Sequence, residues 1–136
     1  MSHRVTSAVS AAPIFATLPT AALRRLEGLM TPVQFADGDR LCIEAEIGRE
    51  AFVIVSGSAI VTQADQEVAE LGPGDLVGER ALLTGERRSA TVTAAGPVTA
   101  FVMSRREFAS VLALRGVRAA VEAVADQRTQ LPTPAA

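Results

Sequence analysis

The sequence predicts a mainly β domain framed by helices, of the sandwich, jelly-roll or barrel type. With 136 residues, of which 49% are hydrophobic and 21% charged, the chain has the size of one domain and enough apolar side chains to form a core. Between residues 31 and 104 short β-branched runs alternate apolar and polar positions with period two, and glycine-, proline- and aspartate-rich turn signals separate them. Helical spacing appears on either side of this region.

The first helix is predicted over residues 21–30. Leu23, Leu26, Leu29 and Met30 fall on one face there, and Thr20 can cap the start. Seven strands are then predicted, over residues 33–36, 40–43, 51–56, 59–62, 67–71, 89–94 and 98–103.

One helical segment interrupts the predicted strands, at residues 78–83. Its residues favour a helix over a strand, but the segment is too short for an ordinary helix, so we expect a single helical turn inside the sheet region. The start of such a turn offers backbone N–H groups that have no partner within the helix.

Two helices are predicted after the strands. Residues 104–107 have the form of a capping box, in which Ser104 and Glu107 satisfy each other's backbone N–H groups. A second helix is expected over residues 117–130, ended by the proline-rich residues 131–136. The apolar stripes of the two helices contain Phe108, Val111 and Leu112, and Val117, Ala120, Val121 and Val124.

Composition disfavours several functional classes. A net charge of −2, a sequence pI near 5.4 and the absence of Trp and Tyr argue against a nucleic-acid surface. A single cysteine, Cys42, and a single histidine, His3, leave no disulfide and no metal cluster. The sequence shows no nucleophile beside a positioned base, so we expect no catalytic residue. It contains no apolar run of about 20 residues, so we expect no membrane segment. We expect a cytoplasmic protein in which Cys42 is a quiet, partly buried thiol.

The strand pattern after Arg88 predicts that its positively charged side chain is buried. Ala90, Val92 and Ala94 alternate with polar residues, so period two places Arg88 among the core-facing positions. A guanidinium cannot lose its proton, and burying it without a partner is costly. Either Glu79 pairs with Arg88 as part of the fold, or an external anion binds there.

As an external anion at Arg88, a phosphate fits better than a carboxylate. Backbone amides near Ala81 and Leu82, together with the hydroxyl and N–H of Ser89, would complete a phosphate cradle. Glu79 would then accept a hydrogen bond from another part of the same ligand, such as a ribose hydroxyl. A sugar and a phosphate together indicate a nucleotide.

These residues also carry a family resemblance. Gly78-Glu79, Ala81-Leu82-Leu83 and Arg88-Ser89-Ala90 resemble the phosphate-binding cassette of cyclic nucleotide-binding domains, and the offset from Glu79 to Arg88 matches as well. The resemblance extends over most of the chain through recurring glycines and core residues, namely Gly38, Leu41, Phe52, Gly57 and Gly72-Pro73-Gly74-Asp75.

The resemblance implies a jelly-roll-like β-roll (a double-stranded β-helix) with N-terminal helices and C-terminal lid helices. The domain would span residues 13–130, with the β-roll over about 31–104 and the lid helices over about 104–130. Residues 1–12 would be a flexible segment or a short helix, and residues 131–136 a disordered tail or linker.

The resemblance also implies roles for the site residues. Glu79 would hold the ribose 2′-hydroxyl and Arg88 the cyclic phosphate, while Ala81 and Ser89 donate to the phosphate and Gly78 allows close approach of the backbone. The terminal helix would close over the base. Arg128 would reach the purine there, or else be a solvated surface charge.

Four residues depart from the family pattern. Arg80 stands at a usually apolar position, Val77 replaces an aromatic residue, Ala45 replaces a glycine and Arg49 stands where aspartate is frequent. The leading interpretation is a cyclic nucleotide sensor that acts on a separate, unknown effector. We expect it to bind cAMP in preference to cGMP, although the hydroxyl of Ser89 can serve either ligand. The alternative is a degenerate, ligand-free β-roll that serves as a structural or protein-interaction module.

Overall fold

The computed structural model describes residues 20–114 and 117–119, where six strands form one antiparallel sheet with helices around it. The elements are α1 (Thr20–Gly28), β1 (Thr31–Phe35), β2 (Arg40–Cys42), β3 (Glu50–Gln63), β4 (Gln66–Leu71), β5 (Leu76–Val77), α2 (Glu79–Thr84), β6 (Thr91–Ser104) and α3 (Arg105–Leu112). The order across the sheet is β1, β6, β3, β4, while β2 also pairs with β6 and β5 with β3. The predicted mainly β architecture with flanking helices is confirmed.

The two longest strands, β3 and β6, correct the predicted strand boundaries. Gly57 and Gly96 were predicted to mark turns, but each lies inside a continuous 14-residue strand. Both take a positive φ, 88° and 90°, and the β3–β6 register shifts near Gly57. A Cβ on Gly57 would collide with the Pro97 carbonyl oxygen, so the two irregular segments pack against each other. The glycines therefore bend a strand pair and do not reverse the chain.

Strand β5 was absent from the prediction. It has two residues, which is too short to show a period-two pattern. Leu76 and Val77 pair with Val53 and Phe52 of β3, so long-range pairing creates this strand. It leads directly into α2, the short helix that was predicted inside the sheet region.

Both faces of the β3–β6 pair are buried. One face packs on the helices through a cluster that includes Leu26 of α1, Met103 of β6, and Phe108 and Val111 of α3. The other face forms the interior of the roll, where Phe52, Ile54, Val61, Val92 and Val98 are buried. Alternate residues of one strand therefore belong to different cores.

Helix α3 begins as predicted. The Ser104 hydroxyl accepts from the Glu107 N–H at 3.1 Å, and the Glu107 carboxylate accepts from the Ser104 N–H at 2.8 Å. Residues 117–119 are helical and Val117 is buried, whereas the rest of the predicted second helix, with Arg128, lies outside the described residues, as do residues 1–12 and 131–136. Every helix within the described residues is too short or too polar to cross a bilayer.

Candidate functional site

Arg88 is buried, with 6% of its surface exposed. Arg88, Ala90, Val92 and Ala94 are all buried, as predicted. The predicted strand start at residue 89 is corrected, because β6 begins at Thr91 and Arg88 and Ala90 lie in the bend before it. The guanidinium donates from Nη1 to the Gly78 carbonyl oxygen at 2.8 Å and from Nη2 to the Glu50 carbonyl oxygen at 2.6 Å. Two backbone carbonyls on different elements therefore set the orientation of the side chain.

The other predicted site residues surround the start of α2. Gly78 precedes the helix with a left-handed φ of 81°, a conformation that favours glycine, and a Cβ there would collide with Arg88 Nη1. Glu79 is fully buried at 0% exposure and Ala81 is buried, while Leu82 and Ser89 are half-buried. The structure thus gathers four of the predicted residues on one short helix and its approach, and Arg88 and Ser89 follow in the segment after the helix.

Gly48, which sequence reasoning missed, lies between Ala81 and Arg88. A Cβ on Gly48 would lie 2.6 Å from Ala81 Cβ and 3.0 Å from Arg88 Cζ, closer than real atoms pack. Only glycine lets this backbone pass so near the guanidinium. An isolated glycine between two strands was visible in the sequence, but what it approaches depends on the tertiary fold.

The loop before β3 is attached to the backbone of Arg88. The Ala45 N–H donates to the Arg88 carbonyl at 2.9 Å, and the Arg88 N–H donates to the Glu46 carbonyl at 2.8 Å. Ala45 holds a φ of 72°, which costs a residue with a side chain about 1–2 kcal/mol relative to glycine. This conformation explains why glycine is frequent at the position.

Arg88 lines a cavity of about 190 Å³. Leu41 and Cys42 of β2 form part of its lining, and Arg49 and Glu50 form another part. Ala81 and Ser89 line a separate, smaller cavity of about 40 Å³. The predicted site residues therefore border two cavities, with Arg88 on one and Ala81 and Ser89 on the other.

Cys42 is buried beside the same group of charges. Burial raises the pKa of its thiol from the ordinary 9.0 to about 11, while the charge of Arg88 lowers that pKa and those of Glu79 and Glu50 raise it. The thiol therefore stays protonated at neutral pH. A protonated, buried thiol is a poor nucleophile, which agrees with the quiet cysteine predicted from the sequence.

Alkaline pH is expected to destabilise the protein through Cys42. The thiol ionises near pH 9.0 in the unfolded chain and near pH 11 in the folded one, so the unfolded state binds fewer protons between these values. The contribution of Cys42 to the free energy of unfolding should be constant below pH 9.0 and fall by roughly 2–3 kcal/mol as the pH rises to about 11. Urea unfolding followed by circular dichroism at several pH values measures this fall.

The chain itself makes this measurement specific. It contains no lysine and no tyrosine, so Cys42 is the only side chain that titrates in that range. Cys42→Ala is the matched control and should remove the fall. An equal alkaline loss of stability in Cys42→Ala would contradict the assignment.

Comparisons with known proteins agree with this geometry. The profile of the family described as "Cyclic nucleotide-binding domain" matches residues 32–115, more than half of the chain. A cyclic nucleotide-gated potassium channel of Rhizobium etli is 41% identical over 91 residues, which are 67% of this chain and 25% of the channel. A cGMP-dependent protein kinase of Eimeria tenella is 38% identical over 81 residues, which are 59% of this chain and 8% of the kinase. The chain thus spans a quarter or less of these relatives.

Two solved structures share the fold. The regulatory domain of Toxoplasma gondii PKA, crystallised with cAMP, superposes with a TM-score of 0.83 over 95% of this chain and 50% of that one, at 20% identity. The regulatory subunit of a cAMP-independent protein kinase A of Trypanosoma brucei, in a triple mutant bound to cAMP in the A site, gives a TM-score of 0.80 at 25% identity. That match covers 97% of this chain and 49% of the other.

Proposed function

Because this chain belongs to the family of cyclic nucleotide-binding domains, we propose that it binds cAMP in preference to cGMP and acts as a regulatory module. The observation that carries the proposal is the buried guanidinium of Arg88, which a hydrogen bond to the Gly78 carbonyl and one to the Glu50 carbonyl hold beside the start of α2. A cyclic phosphodiester carries one negative charge and exposed oxygens, which suit a guanidinium.

The geometry around Arg88 supports a bound phosphate. A guanidinium has five N–H donors, and the two carbonyls account for two of them. Carbonyl oxygens orient the fork but carry no formal charge, whereas a phosphate oxygen accepts a charge-assisted hydrogen bond and balances the cation. Arg88 would therefore be the main contact of the cyclic phosphate.

The residues at the start of α2 would complete the site. The backbone N–H of Ala81, and amides near Leu82, would donate to the phosphate together with Ser89, and Gly78 would let the ligand approach the backbone. Glu79 would accept the ribose 2′-hydroxyl. Its position at the first residue of α2, close to Gly78 and Arg88 in the fold, supports this role, because a carboxylate can accept a hydrogen bond from a sugar hydroxyl.

The Trypanosoma brucei structure adds support from its substitutions. Its mutant bound to cAMP carries an introduced alanine, an arginine seven residues later and an alanine directly after the arginine. This chain has Ala81, Arg88 and Ser89 at the same spacing. This shared spacing of a small residue and an arginine supports the proposed roles of Ala81 and Arg88.

Closure of the terminal helix would transmit binding. Val117 is buried in the core that joins α1 and α3 to the sheet, which supports a helix that packs back onto the roll. A ligand can shift such a helix only by binding its closed position more tightly than its open one. In this proposal Arg128 covers the base, and the effector is another domain or protein.

A ligand-free interaction module is the second candidate. The name of the Trypanosoma brucei neighbour, a cAMP-independent kinase, indicates that this fold occurs in proteins that do not respond to cAMP. The strained Ala45 and the cation at Arg49 are departures in this chain that fit such a loss. Binding measurements separate the two functions.

Titration calorimetry of the chain with cAMP, cGMP and 5′-AMP tests the proposal. We expect saturable binding of cAMP, weaker binding of cGMP, and little binding of 5′-AMP, whose phosphate is not cyclised to the ribose. The absence of binding by both cyclic nucleotides at millimolar concentration would favour the interaction module. Tighter binding of cGMP than of cAMP would reverse the ligand preference and keep the binding function.

A further inference from the structure

Three consecutive backbone carbonyls connect Arg88 to the first residue of α3. The Gly48 carbonyl accepts from Nη2 of Arg105 at 2.7 Å, and the Arg49 carbonyl accepts from the Arg105 backbone N–H at 3.1 Å. The Glu50 carbonyl accepts from Nη2 of Arg88 at 2.6 Å. Residues 48–50 thus lie between two arginines that belong to different parts of the fold.

The segment has little freedom to move without moving Arg88. Glu50 begins β3 and pairs with Ser104, the cap of α3, so the strand and the helix start share one anchor. Gly48 leaves no room for a side chain between its backbone and the side chains of Ala81 and Arg88, so this backbone lies close to the guanidinium. Arg105 donates to the Gly48 and Arg49 carbonyls of this same backbone.

We propose that Arg105 is a positioning residue for Arg88. By holding residues 48–50, it keeps the Glu50 carbonyl where it accepts from the guanidinium of Arg88. For ligand affinity, this inference rests on the proposed binding of cAMP. Because coupling is reciprocal, a phosphate on Arg88 would also stabilise the contacts at the start of α3.

The neighbouring residue provides a matched control. Arg105 and Arg106 are consecutive, exposed arginines of α3, and a change to glutamine removes the same charge from either. Only the Arg105 side chain contacts residues 48–50 through a hydrogen bond. A general effect of charge or of helix stability should therefore appear in both variants, and a positioning effect only in Arg105→Gln.

The first measurement needs no ligand. In the NMR spectrum of the unliganded protein, the Arg88 Nε–H is expected to exchange with water several-fold faster in Arg105→Gln than in the wild type or in Arg106→Gln. Circular dichroism confirms that each variant is folded. If Arg105→Gln does not fold, Arg105→Lys, which keeps the charge and loses the planar fork, takes its place.

The second measurement is a double-mutant cycle on cAMP affinity. Arg105→Gln is expected to weaken binding by roughly three- to ten-fold, less than the loss of a direct charged contact, and Arg106→Gln by less than about two-fold. In an Arg88→Lys background the same change should have no further effect, because its action passes through Arg88.

The outcomes separate this inference from the proposed function. If the wild type binds no cyclic nucleotide, the proposed function fails, and the exchange of the Arg88 Nε–H alone decides the positioning role. If exchange and affinity in Arg105→Gln equal those of the wild type, the inference is overturned while cAMP binding stands. An equal loss in the wild-type and Arg88→Lys backgrounds would also overturn it.

Discussion

Arg88→Ala is expected to lower the affinity for cAMP by about ten- to a hundred-fold, the effect of losing a charged hydrogen bond worth roughly 1.5–3 kcal/mol. The substitution also removes the donors to the Gly78 and Glu50 carbonyls, so the free energy of unfolding should fall as well. Calorimetry therefore has to be performed well below the melting temperature of the variant, measured by circular dichroism.

Two further variants separate charge from geometry at this position. Arg88→Lys keeps the positive charge but cannot donate to both carbonyls and a phosphate in one plane, so we expect an affinity between those of the wild type and Arg88→Ala. Arg24→Ala changes the net charge equally at an exposed position of α1 and should bind like the wild type. Unchanged affinity in a folded Arg88→Ala would exclude Arg88 as the phosphate contact.

The inward direction of Arg88 and the short helix before it could be predicted because both depend on local patterns. The alternation of β6 extends back to Arg88 even though the strand itself begins at Thr91, and a capping box identifies the start of α3 whatever the rest of the chain does. The anchors of the guanidinium could not be predicted. They are the carbonyls of Gly78 and Glu50, and every residue type carries the same carbonyl group.

The glycines show a second limit of sequence reasoning. Gly57 and Gly72 both stand among turn-forming residues, but Gly57 lies inside β3 with a positive φ while the Gly72 segment does form a turn, closed by an Asp75 hydrogen bond. The contact of Gly57 with Pro97, 40 residues away along the chain, decides between a bulge and a turn. Local composition does not contain that information.

Ala45 illustrates how tertiary contacts override local preference. Its positive φ is unfavourable for alanine, yet a hydrogen bond to the Arg88 carbonyl holds the backbone in place, and the Arg87 side chain donates to the Ala45 carbonyl at 3.0 Å. The loop thus keeps the shape that supports Arg88 although the glycine frequent in the family is absent. We therefore expect the replacement of glycine by Ala45 to change the affinity for the ligand more than it changes the fold.

Glu79 is the residue whose proposed role gives the sharpest ligand-based test. The carboxylate is fully buried at the first position of α2, and its charge acts on the pKa of Cys42 together with that of Arg88. If it accepts the ribose 2′-hydroxyl, removal of that hydroxyl and removal of the carboxylate charge delete the same interaction. The two changes should then be strongly non-additive.

We therefore expect the wild type to bind 2′-deoxy-cAMP about ten- to a hundred-fold more weakly than cAMP, the effect of a lost charged hydrogen bond. In Glu79→Gln the affinity for cAMP should fall by a similar factor, and the difference between the two nucleotides should shrink to less than about three-fold. Glu70→Gln, an exposed carboxylate on β4, should keep the full wild-type discrimination. Undiminished discrimination in a folded Glu79→Gln would show that another group binds the 2′-hydroxyl. A carboxylate that contacts only protein groups does not change the ratio of the affinities for cAMP and 2′-deoxy-cAMP, because the two ligands differ only in that hydroxyl.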